Sequence, residues 1–338
     1  MPEGVRLRLD PCRHCARCPA GYLCDEDATE FGCHNEFTPP REGQAGGRDV
    51  MHPLRPDLTE RLWECGGLDI RIRTRATQQP LPILPPYVPR VQKRRGFEAS
   101  QCPAVAVPLD RVWVPRRTRP AAEIKAALRL PAEAAVIVSS FQKDSVLERA
   151  WHHRRALVES LATAGYDLVT VPNFSLWDDD PPLEHRYNIA RSLRMFEMLV
   201  EAGVPTIPHV SWYLVRRDLD EWVRELRRWP GLQAFSLDLQ TLKTQESWAR
   251  GLRELRYLFE GIGQDWEVLV NGVAQPTRIR QVREICGRVH LMNERPFQLA
   301  IHGRMSVDDL STGRERRTDK DPTDIFAAEV QKMRDCMS

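Results

Sequence analysis

Five cysteines crowd into a short N-terminal stretch at positions 12, 15, 18, 24 and 33, and His34 directly follows the last. The series Cys12-x2-Cys15-x2-Cys18-x5-Cys24-x8-Cys33-His34 has the spacing of metal ligands. A Cys-x-x-Cys turn points two thiolates at one centre, and a second pair completes a tetrahedron. The opening residues MPEGVRLRLDPCRHC lack the continuous apolar run of a secretory signal, so a cytoplasmic, reducing setting is expected. There, such cysteine density reads as metal binding rather than disulfide bonding. Zinc suits mixed thiolate and imidazole ligands. An iron–sulfur cluster is the alternative, because Cys12, Cys15 and Cys18-Pro19 resemble the front of a bacterial ferredoxin run. Cys65 and Cys102 are either further ligands or ordinary buried thiols, whereas Cys286 reads as core.

A second set of reactive side chains is spread along the chain. Asp238 stands between Leu237 and Leu239 in an apolar run, so alternation puts it on one face with Ser236 and Gln240. A buried carboxylate is costly unless it is paired or used. It suits a nucleophile or a general base; pairing with an arginine, or capping of a loop, is the competing reading. His209 suits a general acid or a ligand, and Asn173 ends an apolar run beside Phe174-Ser175. Asn271 and Asn293 suit contacts to a base edge or a sugar hydroxyl. Glu294 and His302 are the residue types of an acid–base pair. Lys143, Trp212 and Arg304 join them as substrate-contact candidates. Asp178, Asp179 and Asp180 offer either a cation site or a solvated loop. The chain has no P-loop, dinucleotide GxGxxG, GxSxG elbow or HExxH.

Positioning these groups requires a regular frame. Short β-branched runs at 104–109, 135–141, 167–173, 205–210, 234–239, 267–272, 288–293 and 298–303 predict strands. Helical spacing fills most of the gaps: Ile189, Leu193, Phe196 and Val200 recur every three or four residues, as do Trp248, Leu252, Leu255 and Phe259. Strands alternating with helices imply parallel pairing through crossover helices. Eight such strands predict a (β/α)8-like barrel, incomplete or distorted where only residues 294–297 join the last two strands; an open doubly wound sheet is the alternative. Pro108, Pro172 and Pro208 predict strand ends or bulges. In a barrel the C-terminal strand ends build the active site, and the polar residues named above fall there. Four regions result: a Cys-rich knuckle over 1–37, a Pro/Gly-rich and basic linking segment over 38–103, the barrel over 104–305, and a polar tail over 306–338 with a short amphipathic helix around 322–334.

The net charge of +2 hides an uneven distribution. Residues 71–130 hold thirteen Lys/Arg against three acids, whereas residues 1–70 hold eight against thirteen. The basic block, with Lys93-Arg94-Arg95 as its densest point, fits either nucleic-acid binding or a solvated face. No apolar run is long enough to span a bilayer, so no membrane partner is expected.

The stretch DLVTVPNFSLWDDDPPLEHRYNIARSLRMFEMLVEAGVPTIPHVSW resembles an uncharacterised family of bacterial and phage proteins with a domain of unknown function, over roughly residues 135–305. In architecture the chain also resembles the tRNA-guanine transglycosylase superfamily, including its branch that inserts 7-deazaguanines into DNA. That second resemblance implies a barrel with aspartates at strand ends and a cysteine-rich zinc site. It makes Asp238 the nucleophile that displaces a base, and the basic block the holder of the nucleic-acid backbone. Three functions are therefore open: a transferase or hydrolase acting on a nucleoside or nucleic acid, a non-catalytic metal-stabilised nucleic-acid-binding or assembly protein, and a small-molecule biosynthetic barrel enzyme.

Overall fold

The computed structural model describes residues 61–92, 97–176, 182–213, 215–229, 231–232, 234–307, 310 and 313–337. Cys12, Cys15, Cys18, Cys24, Cys33 and His34 lie outside these residues, as do Lys93, Arg94, Arg95 and Asp178–Asp180.

Eight short strands run parallel. They are β1 (Tyr87–Pro89), β2 (Ala104–Pro108), β5 (Ala135–Ser139), β6 (Leu168–Thr170), β7 (Thr206–Ile207), β8 (Ala234–Asp238), β9 (Glu267–Asn271) and β10 (Arg288–Asn293). Between β2 and β5 a minor hairpin forms from β3 (Trp113–Val114) and β4 (Arg117–Thr118). The parallel strands make two four-stranded sheets, ordered β1-β10-β9-β8 and β2-β5-β6-β7. Single bridges join the sheets along both seams, Arg90 to Ala106 and His209 to Ser236. The strands thus follow one another round a ring, but the ladders are not continuous and no closed barrel sheet forms. Proline explains the seams, because it brings no N–H to a ladder. β7 is hemmed between Pro205 and Pro208. β1 follows Pro85 and Pro86 and ends on Pro89, so both seam strands are short.

The eighth strand is not where alternation put it. Residues 298–303 do not extend; Arg295–Ile301 is a helix, α9, with Pro296 in its first turn and Phe297, Leu299 and Ala300 buried. Proline is pre-set for a helix start, and Gln298, Leu299 and Ala300 are good helix formers. β1 supplies the strand instead, from the Pro-rich segment read as part of a linker. It pairs with β10 over Tyr87↔Leu291, Val88↔Met292 and Pro89↔Asn293.

Helices cover the outside: α1 (Leu109–Val112), α2 (Ala121–Leu128), α3 (Asp144–His152), α4 (Arg154–Ala162), α5 (Pro182–Glu201), α6 (Val215–Arg228), α7 (Gln245–Ile262) and α8 (Pro276–Cys286). Their apolar faces carry Phe196, Trp222, Phe259 and Ile279, which meet the outward residues Val136, Val169, Phe235 and Val268. The inward residues form a separate apolar column that includes Val88, Ala106, Ile137, Leu168, Ile207, Leu269 and Met292. Leu81 and Leu84, from the segment entering β1, pack against that column. Strand alternation therefore yields two distinct cores, one inside the ring and one between strands and helices.

After α9 comes a small hairpin, β11 (Arg304–Ser306) with β12 (Glu315–Arg317). The segment read as a polar tail then forms α10 (Pro322–Asp335), which buries Ile325, Phe326, Val330 and Met333. Phe97 meets both Phe326 and Phe297 edge to face, with centroids 4.9 and 5.0 Å apart. Among the described residues, no helix is long and apolar enough to cross a membrane.

Candidate active site

The inward face changes character along the strands. Below it is aliphatic; at the C-terminal ends it carries Arg90, Ser139, Thr170, His209, Ser236, Asp238 and Asn271. Asp238 is the last residue of β8 and stands opposite Asn271 of β9. Its carboxylate accepts three N–H bonds. Asn271 Nδ2 donates to Oδ1 at 3.1 Å, the Gln240 backbone N–H donates to the same oxygen at 3.0 Å, and Asn173 Nδ2 donates to Oδ2 at 2.9 Å. Oδ2 therefore keeps a lone pair unused by these bonds. Burial pushes the Asp238 carboxyl above the ordinary carboxylate range, against the lowering effect of its three donors and of Arg90.

Gly272 lets the Gln240 backbone come close enough for its bond. Its φ is +89°, and a Cβ there would lie 2.7 Å from Gln240 Cα and 2.9 Å from Gln240 N. Only glycine tolerates both the left-handed backbone and so close an approach.

Three buried polar atoms on this rim have no hydrogen-bond partner among the described residues: Arg90 Nε, Ser139 Oγ and Asn173 Oδ1. Buried polar groups are ordinarily satisfied, so these atoms at the strand ends are available to a ligand. Burial pushes the Arg90 guanidinium below its ordinary value, against the raising fields of Glu294, Asp110 and Asp238. Its guanidinium stays protonated at any working pH.

His209 is at the same end but on a different footing. Its Nδ1 lies 3.3 Å from Ser236 Oγ, and its ring meets Phe141 edge to face at 5.5 Å. Burial pushes its pKa down to about 3, so the imidazole is neutral. It touches the seam between the sheets rather than Asp238.

The other candidates separate from this group. Asn293 is occupied by the fold: its Oδ1 accepts from Tyr87 and from the Arg295 backbone, and its Nδ2 donates to Val273 O. Trp212 donates to Glu254 at 3.0 Å. Lys143 is exposed at the start of α3. Glu294 and His302 stand at the two ends of α9, and this helix, not a strand end, keeps them from forming an acid–base pair. Arg304 lies in β11, where it pairs with Glu315 at 3.3 Å. Sequence reasoning missed Arg90, whose segment looked like a proline-rich spacer. An isolated arginine two residues after an inward valine was the available signal.

Among the described residues, no group of three or more His, Cys, Asp or Glu side chains could hold a metal ion. Burial pushes the thiols of Cys65 and Cys102 up to about 12, so both are protonated thiols in the core.

No curated protein matches this chain. Among solved structures, one described as "Native KDPGal structure" is similar at 15% identity, over 77% of this chain and 98% of that one, with a TM-score of 0.39. A cube-shaped, highly porous protein cage designed by fusing symmetric oligomeric domains is similar at 16% identity, over 75% of this chain and 73% of that one, with a TM-score of 0.37. Residues 122–227, a segment that carries Ser139, Asn173 and His209 but not Arg90, Asp238 or Asn271, match the model of an uncharacterised family described as a domain of unknown function (DUF4417).

Proposed function

We propose that the ring of strands works as a (β/α)8-type barrel, and that its C-terminal mouth modifies a nucleoside or nucleobase with Asp238 as general base. The observation that carries this reading is the Asp238 carboxylate, gripped by three N–H donors at the same strand ends that carry the unsatisfied atoms of Arg90, Ser139 and Asn173. Arg90 Nε–H is a donor, Asn173 Oδ1 an acceptor and Ser139 Oγ either one, a pattern suited to the mixed donors and acceptors of a base edge.

In the reaction step, the open lone pair of Asp238 Oδ2 takes a proton from a substrate N–H or O–H. Arg90 faces the electron pair left behind. Asn173 Nδ2–H keeps its bond to the other lone pair of Oδ2, so the pair stays bonded in both protonation states. The raised pKa of Asp238 makes it a stronger base than an exposed aspartate.

The test is product analysis by mass spectrometry after incubation with nucleosides and oligonucleotides. Asp238→Asn is expected to reduce turnover by roughly 10²- to 10⁴-fold. The wild-type rate should rise with pH through a pKa above the usual value of 3.8, and the variant should lack that limb. Unimpaired turnover in Asp238→Asn would sink the proposal.

The cysteine series supports a zinc ion held by four of Cys12, Cys15, Cys18, Cys24, Cys33 and His34, through its ligand spacing alone. Elemental analysis of anaerobically purified protein should return about one zinc per chain; iron with sulfide would replace this reading by the cluster alternative.

A further inference from the structure

A shallow groove of about 490 Å³ opens on the flank of the molecule, lined by Arg71, Ile72, Arg73, Thr74, Arg75, Arg228 and Trp229. It lies where α6 ends and before β8 begins, which is the end of the ring opposite the mouth. Nearby, Gln78 donates to the carbonyl of Thr206, the first residue of β7.

The groove wall is an extended segment with strict alternation. Ile72 and Thr74 are buried, whereas Arg71, Arg73 and Arg75 are exposed. Acidic side chains are close, but they are committed to the backbone. Glu221 accepts from Ile70 N at 2.9 Å, Glu225 from Ile72 N at 2.7 Å and Glu197 from Arg73 N at 2.6 Å. Glu225 also pairs with Arg228, which in turn donates to Ile72 O. These bonds fix the segment against α5 and α6 while leaving the charges of its own guanidinium groups uncompensated. Arg73 spends one N–H on the Arg71 carbonyl at 2.8 Å, which holds its side chain along the row without neutralising it. Among the described residues, no carboxylate forms an ion pair with Arg71, Arg73 or Arg75. Alternate residues of an extended strand are about 6.6 Å apart, so the wall presents a regular row of positive charge.

We infer that this arginine row binds the phosphodiester backbone of a single-stranded nucleic acid, independently of the site at the mouth. Guanidinium forks match phosphate oxygens bidentately. A regular row of charge fits a regular row of phosphates, and the half-buried Trp229, backed by Phe196 at 5.2 Å, offers an indole beside the row on which a base can stack. An acidic peptide would answer the charge but not the indole.

Fluorescence anisotropy with a labelled single-stranded oligonucleotide tests the inference on the full chain. The variant Arg71→Gln/Arg73→Gln/Arg75→Gln leaves the three backbone anchors intact and should fold normally by circular dichroism. It is expected to weaken binding about tenfold or more, and to lower the slope of log K against log salt by about 2, the loss of three phosphate contacts on a single strand. Asp238→Asn should bind as tightly as the wild type, which separates this groove from the mouth. Unchanged affinity and slope in the triple variant would overturn the inference, as would equally tight binding of a poly-glutamate peptide at the same salt.

Discussion

Two aspartates in this protein, the buried Asp218 and the part-buried Asp238, are stabilised in opposite ways. Asp218, in α6, sits beside the Arg186 guanidinium at 3.0 Å, and both side chains are 1% exposed. Arg186 also forks onto Glu221, with bonds of 2.8 and 2.9 Å. Asp218 further accepts the Tyr213 backbone N–H. There charge meets charge, and helices are tied together. Asp238, at the mouth, accepts its hydrogen bonds from neutral N–H groups, and Arg90 acts on it only through its field. A carboxylate neutralised by a guanidinium is a poor base, because giving it a proton breaks an ion pair. A carboxylate held by amides can change protonation state while its neighbours adjust. Of the two, Asp238 is therefore the one suited to chemistry and Asp218 the one suited to structure.

The largest expected effect breaks the structural member of this pair. Arg186→Met takes the Arg186 guanidinium from the buried Asp218 and the part-buried Glu221, which should cost about 3–5 kcal/mol of stability by urea unfolding. An unchanged midpoint would show that the cluster does not hold α5 to α6. Asp238→Asn should behave in the opposite manner, changing unfolding free energy by less than about 1 kcal/mol while turnover collapses. The amide keeps an oxygen for Gln240 and Asn271, and Asn173 can turn over to accept from its NH2. A large stability loss in Asp238→Asn would move it into the same class as Asp218. The smallest expected change in turnover is that of Gly272→Ala, where the new Cβ pushes Gln240 away and loosens one N–H bond to Asp238. We expect a loss of about 1 kcal/mol or somewhat more, from the positive φ, together with a fall in turnover at constant protein fold.

Much of the frame was legible because its signals are local. Seven strands and the helices between them follow from apolar runs and from three- to four-residue spacing, and β2, β6 and β7 end at or just before Pro108, Pro172 and Pro208. The error at residues 298–303 has a physical cause. Phe297, Leu299 and Ala300 fit a short buried helix and a strand almost equally well, and a span of seven residues is too brief for periodicity to separate them. The missing strand was hidden by proline, which reads as a spacer but can sit at a ladder end where its missing N–H is not needed.

Asp238 was marked by the sequence alone, since an acid inside an apolar alternation must be either paired or used. Asn173 and Asn271 were marked as polar strand ends and Gln240 as its neighbour two residues on, but Arg90 was not. Asn173, Asn271 and Arg90 come from three other stretches, and no local pattern says which of many polar strand ends converge. Glu294, His302, Asn293 and Arg304 had equal claims by position, yet helix α9 and the bonds of Asn293 direct them elsewhere. By itself, then, the sequence determined the residue types, the strand and helix repeats and the acid set in an apolar strand, because each is written in neighbouring residues. Only the tertiary structure decided which side chains share the mouth, and which arginines face solvent without a carboxylate, because ring closure and helix packing bring together residues far apart in the chain.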